Sequence, residues 1–152
     1  MPLSAANPAT LRAVRYARLL GYLAFLAAFF LPAVRQVATP GAGAPEVYTG
    51  YFCAWITIIN SLNHEFWRSK DALAILSGWI NPLMLLYTAL LFSSRLRQTR
   101  RILAVLVWIF LAGTWVYFYL FPLVPLIGHW MWVAGILLIV AGEVIGPRRT
   151  VA

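Results

Sequence analysis

Four apolar runs, separated by short polar breaks, set the pattern of this chain. Residues 19–34, 72–92, 102–121 and 126–145 hold no charged side chain except Glu143. The last three have the roughly 20 residues that a helix needs to cross a bilayer. The first is shorter, but Arg18 and Arg35 flank it and can snorkel outward at either end. Asn7-Pro8 reads as a helix start, with Asn as cap and Pro at the first helical position. Arg12, Arg15 and Arg18 then lead into the first run. The only small-residue cleavage pattern, Ala42-Gly43-Ala44, precedes Pro45 and lies well past Arg35, so this run is expected to be an uncleaved anchor.

A fifth segment, residues 48–67, has a different pattern. Its apolar core from Tyr51 to Ile59, broken by Thr57, is about half the length of a crossing helix. On a helical wheel Thr57, Asn60, Ser61, His64 and Arg68 fall on one side, and Tyr51, Trp55, Ile59, Leu62 and Phe66 on the other. This is the pattern of an amphipathic helix that lies in the interface or tucks against a bundle. Between the elements, residues 36–47 contain Pro40, Gly41, Gly43 and Pro45 and read as a flexible connection. Pro122-Leu123-Val124-Pro125 reads as a tight uncharged turn. Asn81-Pro82 predicts a kink within the second run, because proline removes a backbone donor there.

Charge turns this pattern into a topology. Arg95, Arg97, Arg100 and Arg101 crowd seven residues that hold no acid. Such a basic knot between apolar runs marks a short cytoplasmic loop. If residues 48–67 crossed the membrane, the knot would lie outside. If they do not cross, Arg35, Arg68 and Lys70 lie outside, balanced by Glu46, Glu65 and Asp71, and the nine other basic residues lie inside. The expected fold is therefore an all-α integral membrane protein: a four-helix antiparallel transmembrane bundle with both termini cytoplasmic and an added interfacial helix over residues 48–67. Aromatic residues agree, since Trp115, Tyr117, Phe118, Tyr119, Phe121, Trp130 and Trp132 would form a belt at the outer interface.

Composition sharpens the class. The chain is 62% hydrophobic and 11% charged, whereas a soluble domain carries about 25% charge. The net charge of +8 lies beside the apolar runs, which fits anionic headgroups on the cytoplasmic side and not nucleic acid. The alanine-rich, lysine-poor make-up resembles that of bacterial inner-membrane proteins. Cys53 is the only cysteine, which excludes an internal disulfide and a CxxC pair.

Recognisable catalytic motifs are missing from the sequence, so candidate chemistry rests on isolated polar groups. Polar residues at membrane depth are costly and tend to be functional. Asn60, Ser61, His64, Arg68 and Asn81 are candidates for a polar cavity, or for a solvated face and an interhelical hydrogen bond. His64 and His129 are the only histidines; together they could serve haem or quinone, although no ligand spacing supports a metal site. His129 sits in an interfacial aromatic run, where a histidine is unremarkable. Glu143 is a candidate proton or cation carrier, or else the partner of Arg148 and Arg149. Small residues form two seams: Ala17, Gly21, Ala24 and Ala28 on the first span, and Gly128, Gly135, Gly142 and Gly146 on the last. Seams of this kind let helices approach closely, either each other or a second copy of the chain. The leading expectation is a non-enzymatic membrane protein that binds a protein partner or lipid through its outer amphipathic segment. A small transporter or channel using Asn81 and Glu143 is the alternative, and a redox protein using His64 and His129 is the third.

Overall fold

The computed structural model describes residues 8–37, 45–62, 72–91 and 96–145. Within them the order is α1 (Pro8–Ala28), β1 (Pro32–Gln36), β2 (Val47–Thr49), α2 (Gly50–Ser61), α3 (Ala72–Leu90), α4 (Arg97–Leu120), β3 (Leu123–Pro125) and α5 (Ile127–Ile145). The chain is mostly helical, and α3 and α4 are long and apolar enough to cross a membrane. Apolar side chains also cover the outside. Leu19, Leu20 and Leu23 of α1, Leu85 and Leu86 of α3, and Ile102, Val105 and Ile109 of α4 are all exposed. An apolar patch of this extent needs an apolar medium or a partner against it.

Helix α1 departs from the expected first span of residues 19–34. It begins at Pro8 and takes in all three arginines, then stops at Ala28. The Phe29, Phe30 and Leu31 amides donate to Leu26, Ala27 and Ala28 carbonyls at 3.2, 3.1 and 3.4 Å. These bonds tighten the last turn, and Pro32 cannot extend the helix because it has no amide hydrogen. Val34 and Arg35 therefore lie in a strand.

That strand, β1, is the centre of a three-stranded antiparallel sheet in the order β2-β1-β3. Arg35 pairs with Val47 on one side and with Val124 on the other. Two expectations are corrected here. The connection over residues 36–47 is paired at both ends, Gln36 donating its amide to the Glu46 carbonyl at 2.9 Å; residues 38–44 lie outside the described residues. Residues 122–125 are not a bare turn, since Leu123–Pro125 forms β3. Unpaired backbone groups are costly away from water, so segments between helix ends pair wherever they can. The Val37 amide donates to the Pro122 carbonyl and the Leu126 amide to the Ala33 carbonyl, both at 2.8 Å. The fold is thus helical with a small sheet at one end, and not all-α.

Helix α2 starts directly from this sheet. The Thr49 hydroxyl accepts from the Phe52 amide at 3.4 Å. The Gly50 and Tyr51 amides donate to the Leu31 and Phe29 carbonyls. Orphan donors of α2 are thereby satisfied by carbonyls just past the end of α1. At the opposite end of the molecule, α4 begins at Arg97, so most of the expected arginine loop is helical. Arg100 Nη1 reaches back to the Leu90 carbonyl at 3.2 Å and closes the end of α3.

Helix α1 packs along α5, α3 along α4, and α2 along α3. A shared core of Phe25, Ile80, Met84, Tyr87, Val107, Ile136, Ile139 and Val140 joins the first two pairs. The two small-residue seams meet each other. A Cβ at Gly21 would lie 2.9 Å from the Gly135 carbonyl oxygen, and one at Gly135 would lie 2.8 Å from that of Gly21. Gly128 abuts the Leu31 and Pro32 carbonyls. Gly142 lies in α5, and Gly146 lies outside the described residues.

Candidate functional site

A partly open cavity of about 600 Å³ lies between α2, α3, α4, α5 and the sheet. Its origin is local. On α3, Ala74, Ser77 and Gly78 present small side chains to α2, and a Cβ at Gly78 would fall on the Thr57 side chain. The two helices run antiparallel, with Thr57 against Gly78 and Tyr51 sharing a groove with Leu85. Close contact at this one level holds α2 to α3 while leaving room toward α4 and α5.

The two faces of α2 are set accordingly. Cys53, Thr57 and Asn60 line the cavity. Tyr51, Trp55, Ile59 and Leu62 are exposed on the other side. Of the polar stripe read from the sequence, Thr57 and Asn60 thus face the cavity, with Phe52 and Ile56 beside them, while Tyr51, Trp55, Ile59 and Leu62 of the apolar stripe face out. The Thr57 hydroxyl donates within its own helix, to the Cys53 carbonyl at 2.8 Å and the Ala54 carbonyl at 3.0 Å. Such back-bonding is how a hydroxyl is carried on an apolar helix. Burial pushes the Cys53 thiol up to about 11, so the free thiol stays protonated at neutral pH.

Across the cavity, α3 and α5 are tied by a side-chain bond. Trp132 Nε1 donates to Asn81 Oδ1 at 2.9 Å. Asn81 therefore serves as an interhelical acceptor beside the Pro82 position. One turn away on α5, His129 is only 6% exposed, and its Nε2 has no hydrogen-bond partner among the described residues. Its ring is enclosed by aromatic rings, edge-on to Phe118 at 4.6 Å and Trp115 at 5.5 Å between centroids, with Trp132 also at 5.5 Å. The aromatic run around His129 in the sequence is thus matched by rings from a second helix, and the histidine is buried between them.

Gln36, Glu46 and Tyr48 line the cavity where the sheet closes it. The Tyr48 hydroxyl donates to a Glu46 carboxylate oxygen. That bond holds the Tyr48 phenol above its usual range. Among the described residues that line the cavity, Glu46 is the only charged one.

Of the residues singled out from the sequence, the structure brings Asn60, Asn81, His129 and Gly128 to one cavity. Ser61 lies on α2, its hydroxyl donating to the Ile58 carbonyl at 2.6 Å. His64 and Arg68 fall outside the described residues, as does the side chain of Glu143, so the His64–His129 pairing is not described. Cavity residues that sequence reading did not single out are Ser77, Gly78, Thr114 and Trp132. Ala74 and Gly78 were recoverable from their small-xxx-small spacing. Thr114 and Trp132 had no such signal, being single polar groups in aromatic runs. Among the described residues no group of three or more His, Cys, Asp or Glu side chains is placed to hold a metal ion. No family model, curated protein or solved structure matches the chain, so the functional reading rests on this cavity.

Proposed function

We propose that this chain is a multi-pass protein of a bacterial inner membrane that binds a lipid-like, amphipathic molecule in the cavity beside α2, without catalysing a reaction. One observation carries the reading: a cavity of about 600 Å³, within the range of small-molecule sites, is walled by Phe52, Cys53, Ile56, Thr57 and Asn60 of a helix whose Tyr51, Trp55, Ile59 and Leu62 are exposed. A helix so arranged can rest in the lipid interface while presenting Thr57 and Asn60 to a guest. Four spans, with α2 on the outer side and both termini cytoplasmic, account for the charge pattern. The basic residues at the inner side then meet anionic lipid headgroups. Trp132 engages Asn81, which favours a walled binding site over a conducting path. At Gly21, Gly128 and Gly135 the glycine seams are used within one chain.

Topology is open to direct measurement. Reporter fusions at Gln98 and at the C-terminus should read cytoplasmic, and those at Ser69 and just after Phe121 external. A cytoplasmic signal at Ser69 would require the chain between α1 and α3 to cross the bilayer.

Cys53 supplies a native probe of the cavity because it is the only thiol in the chain. Alkylation by an apolar maleimide should be at least fivefold slower in protein freshly extracted with its lipid than in exhaustively delipidated protein. The rate should climb about tenfold per pH unit from 7 toward the thiol's value of about 11, since only the thiolate reacts. Ala74→Trp, which fills the space, should abolish the effect of lipid. Equal rates before and after delipidation, in wild type and Ala74→Trp alike, would rule out a cavity ligand.

A further inference from the structure

We propose that the cavity's guest carries a neutral ring with a carbonyl or hydroxyl oxygen, seated on His129 Nε2, on an apolar tail: the chemistry of quinones and prenylated phenols. This proposal rests on the cavity binding an amphipathic molecule and names the head that the molecule must have.

The argument starts from what the cavity leaves unmatched. A buried polar atom without a partner is rare and costly, so a specific one calls for an explanation. His129 Nε2 is such an atom among the described residues, on a ring that lines the cavity; the nitrogen itself is closed to water, so a guest oxygen reaches it by a turn of the ring. The neighbouring hydroxyls are engaged by their own helices: Ser77 donates to the Ala74 carbonyl at 2.7 Å and Thr114 to the Phe110 carbonyl at 3.1 Å. Trp132 Nε1 donates to Asn81 Oδ1.

Charge narrows the class. The one charged residue among the described lining, Glu46, belongs to the sheet segment and already accepts from Tyr48. Among the described residues no cation lines the cavity, so a phosphate head would enter without a counter-charge, at the high cost of a buried ion. A neutral oxygen has no such cost. Neutral imidazole is a donor or an acceptor at Nε2 according to its tautomer. A carbonyl suits the first and a hydroxyl the second, and quinone and quinol present one each.

The shape of the cage narrows it further. Phe118 and Trp115 stand edge-on to the imidazole, and Trp132 is tilted against it. Aromatic walls at these angles favour a planar ring by stacked or edge-to-face contact. A flexible acyl chain gains no such directional contact.

The test uses the delipidated full-length protein in detergent. Three probes share a ten-carbon tail: a decyl benzoquinone whose other ring positions are all substituted, so that the Cys53 thiol cannot add to it, decylbenzene, which has the ring without oxygen, and decanol, which has the oxygen without a ring. Binding is read from protection of Cys53 against alkylation. Wild type should bind the quinone at least tenfold more tightly than either comparator. His129→Phe should lose that advantage while keeping its decylbenzene affinity. His129→Gln, which retains a side-chain donor, should recover quinone binding to within about threefold. Because the chain has two histidines, nitrogen-15 labelling of histidine gives a readout that does not depend on a variant folding: the quinone should shift one Nε2 resonance, and decylbenzene should not. Quinone binding that is equal in wild type and His129→Phe, with no imidazole shift, would overturn the anchor but leave the cavity reading standing. Decanol binding as tightly as the quinone would overturn the ring. Protection of Cys53 by native lipid extract but by none of the three probes would overturn the head-group class alone. Failure of the extract as well would overturn the cavity reading on which the head group depends.

Discussion

Gly135→Leu is expected to unfold the α1–α5 pair in detergent. A Cβ at this position would lie 2.7 Å from the Phe25 amide nitrogen and 2.8 Å from the Gly21 carbonyl oxygen. Both are backbone atoms, which cannot swing aside like a side chain. Overpacking commonly costs about 1–3 kcal/mol, and a leucine against two backbone segments belongs at the upper end. Set against a total stability of about 5–15 kcal/mol, that should lower the melting temperature by many degrees and expose Phe25 and Ile139, now in the core. Gly113→Leu is the control, because a Cβ there meets nothing within 4 Å. It should melt as wild type or slightly higher, since removing glycine from a helix interior is favourable by roughly 0.5–1 kcal/mol. Equal melting of the Gly135 and Gly113 variants would mean that α1 does not lie on this face of α5.

Gly78→Val should act elsewhere, detaching α2 while leaving the bundle standing. Its Cβ would occupy the place of the Thr57 hydroxyl and Cβ, so α2 has to move off α3. The expected signs are faster alkylation of Cys53, loss of any lipid protection, and proteolysis within α2, with a smaller change in the main melting transition. Thr57→Gly clears the colliding atoms, so combining it with a milder Gly78→Ala should restore part of the contact. Coupling of about 1 kcal/mol or more between the two sites would be the mark of direct packing. Unchanged Cys53 reactivity in Gly78→Val would overturn the placement of α2.

The parts of this fold that the sequence makes legible are those with a long apolar run. Helices α3, α4 and α5 start and end within about five residues of their expected spans, a scatter somewhat wider than the usual fraying of helix ends. The amphipathic character of α2 was legible too, because polar positions repeat at helical spacing. Its orientation was not. A polar stripe can face solvent or a cavity equally well, and the choice depends on Gly78, which lies on a different helix. The three strands were invisible for another reason. Runs of three to five residues are too short to show a period of two, and prolines at 32, 122 and 125 imitate turn signals. At the site, Asn81 and His129 stood out as polar residues in apolar runs. The aromatic cage that gives His129 its meaning is assembled from α4 and α5 together, and no local pattern encodes it.

The central position of β1 also bears on how the chain is made. One of its two partners, β2, follows it along the chain before any further helix, whereas the other, β3, comes only after α2, α3 and α4. At about 5–20 residues per second, one edge of β1 waits on the order of ten seconds before Val34 and Arg35 meet Pro125 and Val124. An isolated helix can form during that interval, since it satisfies its own backbone. The sheet cannot. It acts as a late clasp that fastens the α1–α2 connection to the α4–α5 connection, so the cavity it closes comes into being only after α2, α3 and α4 have all been made.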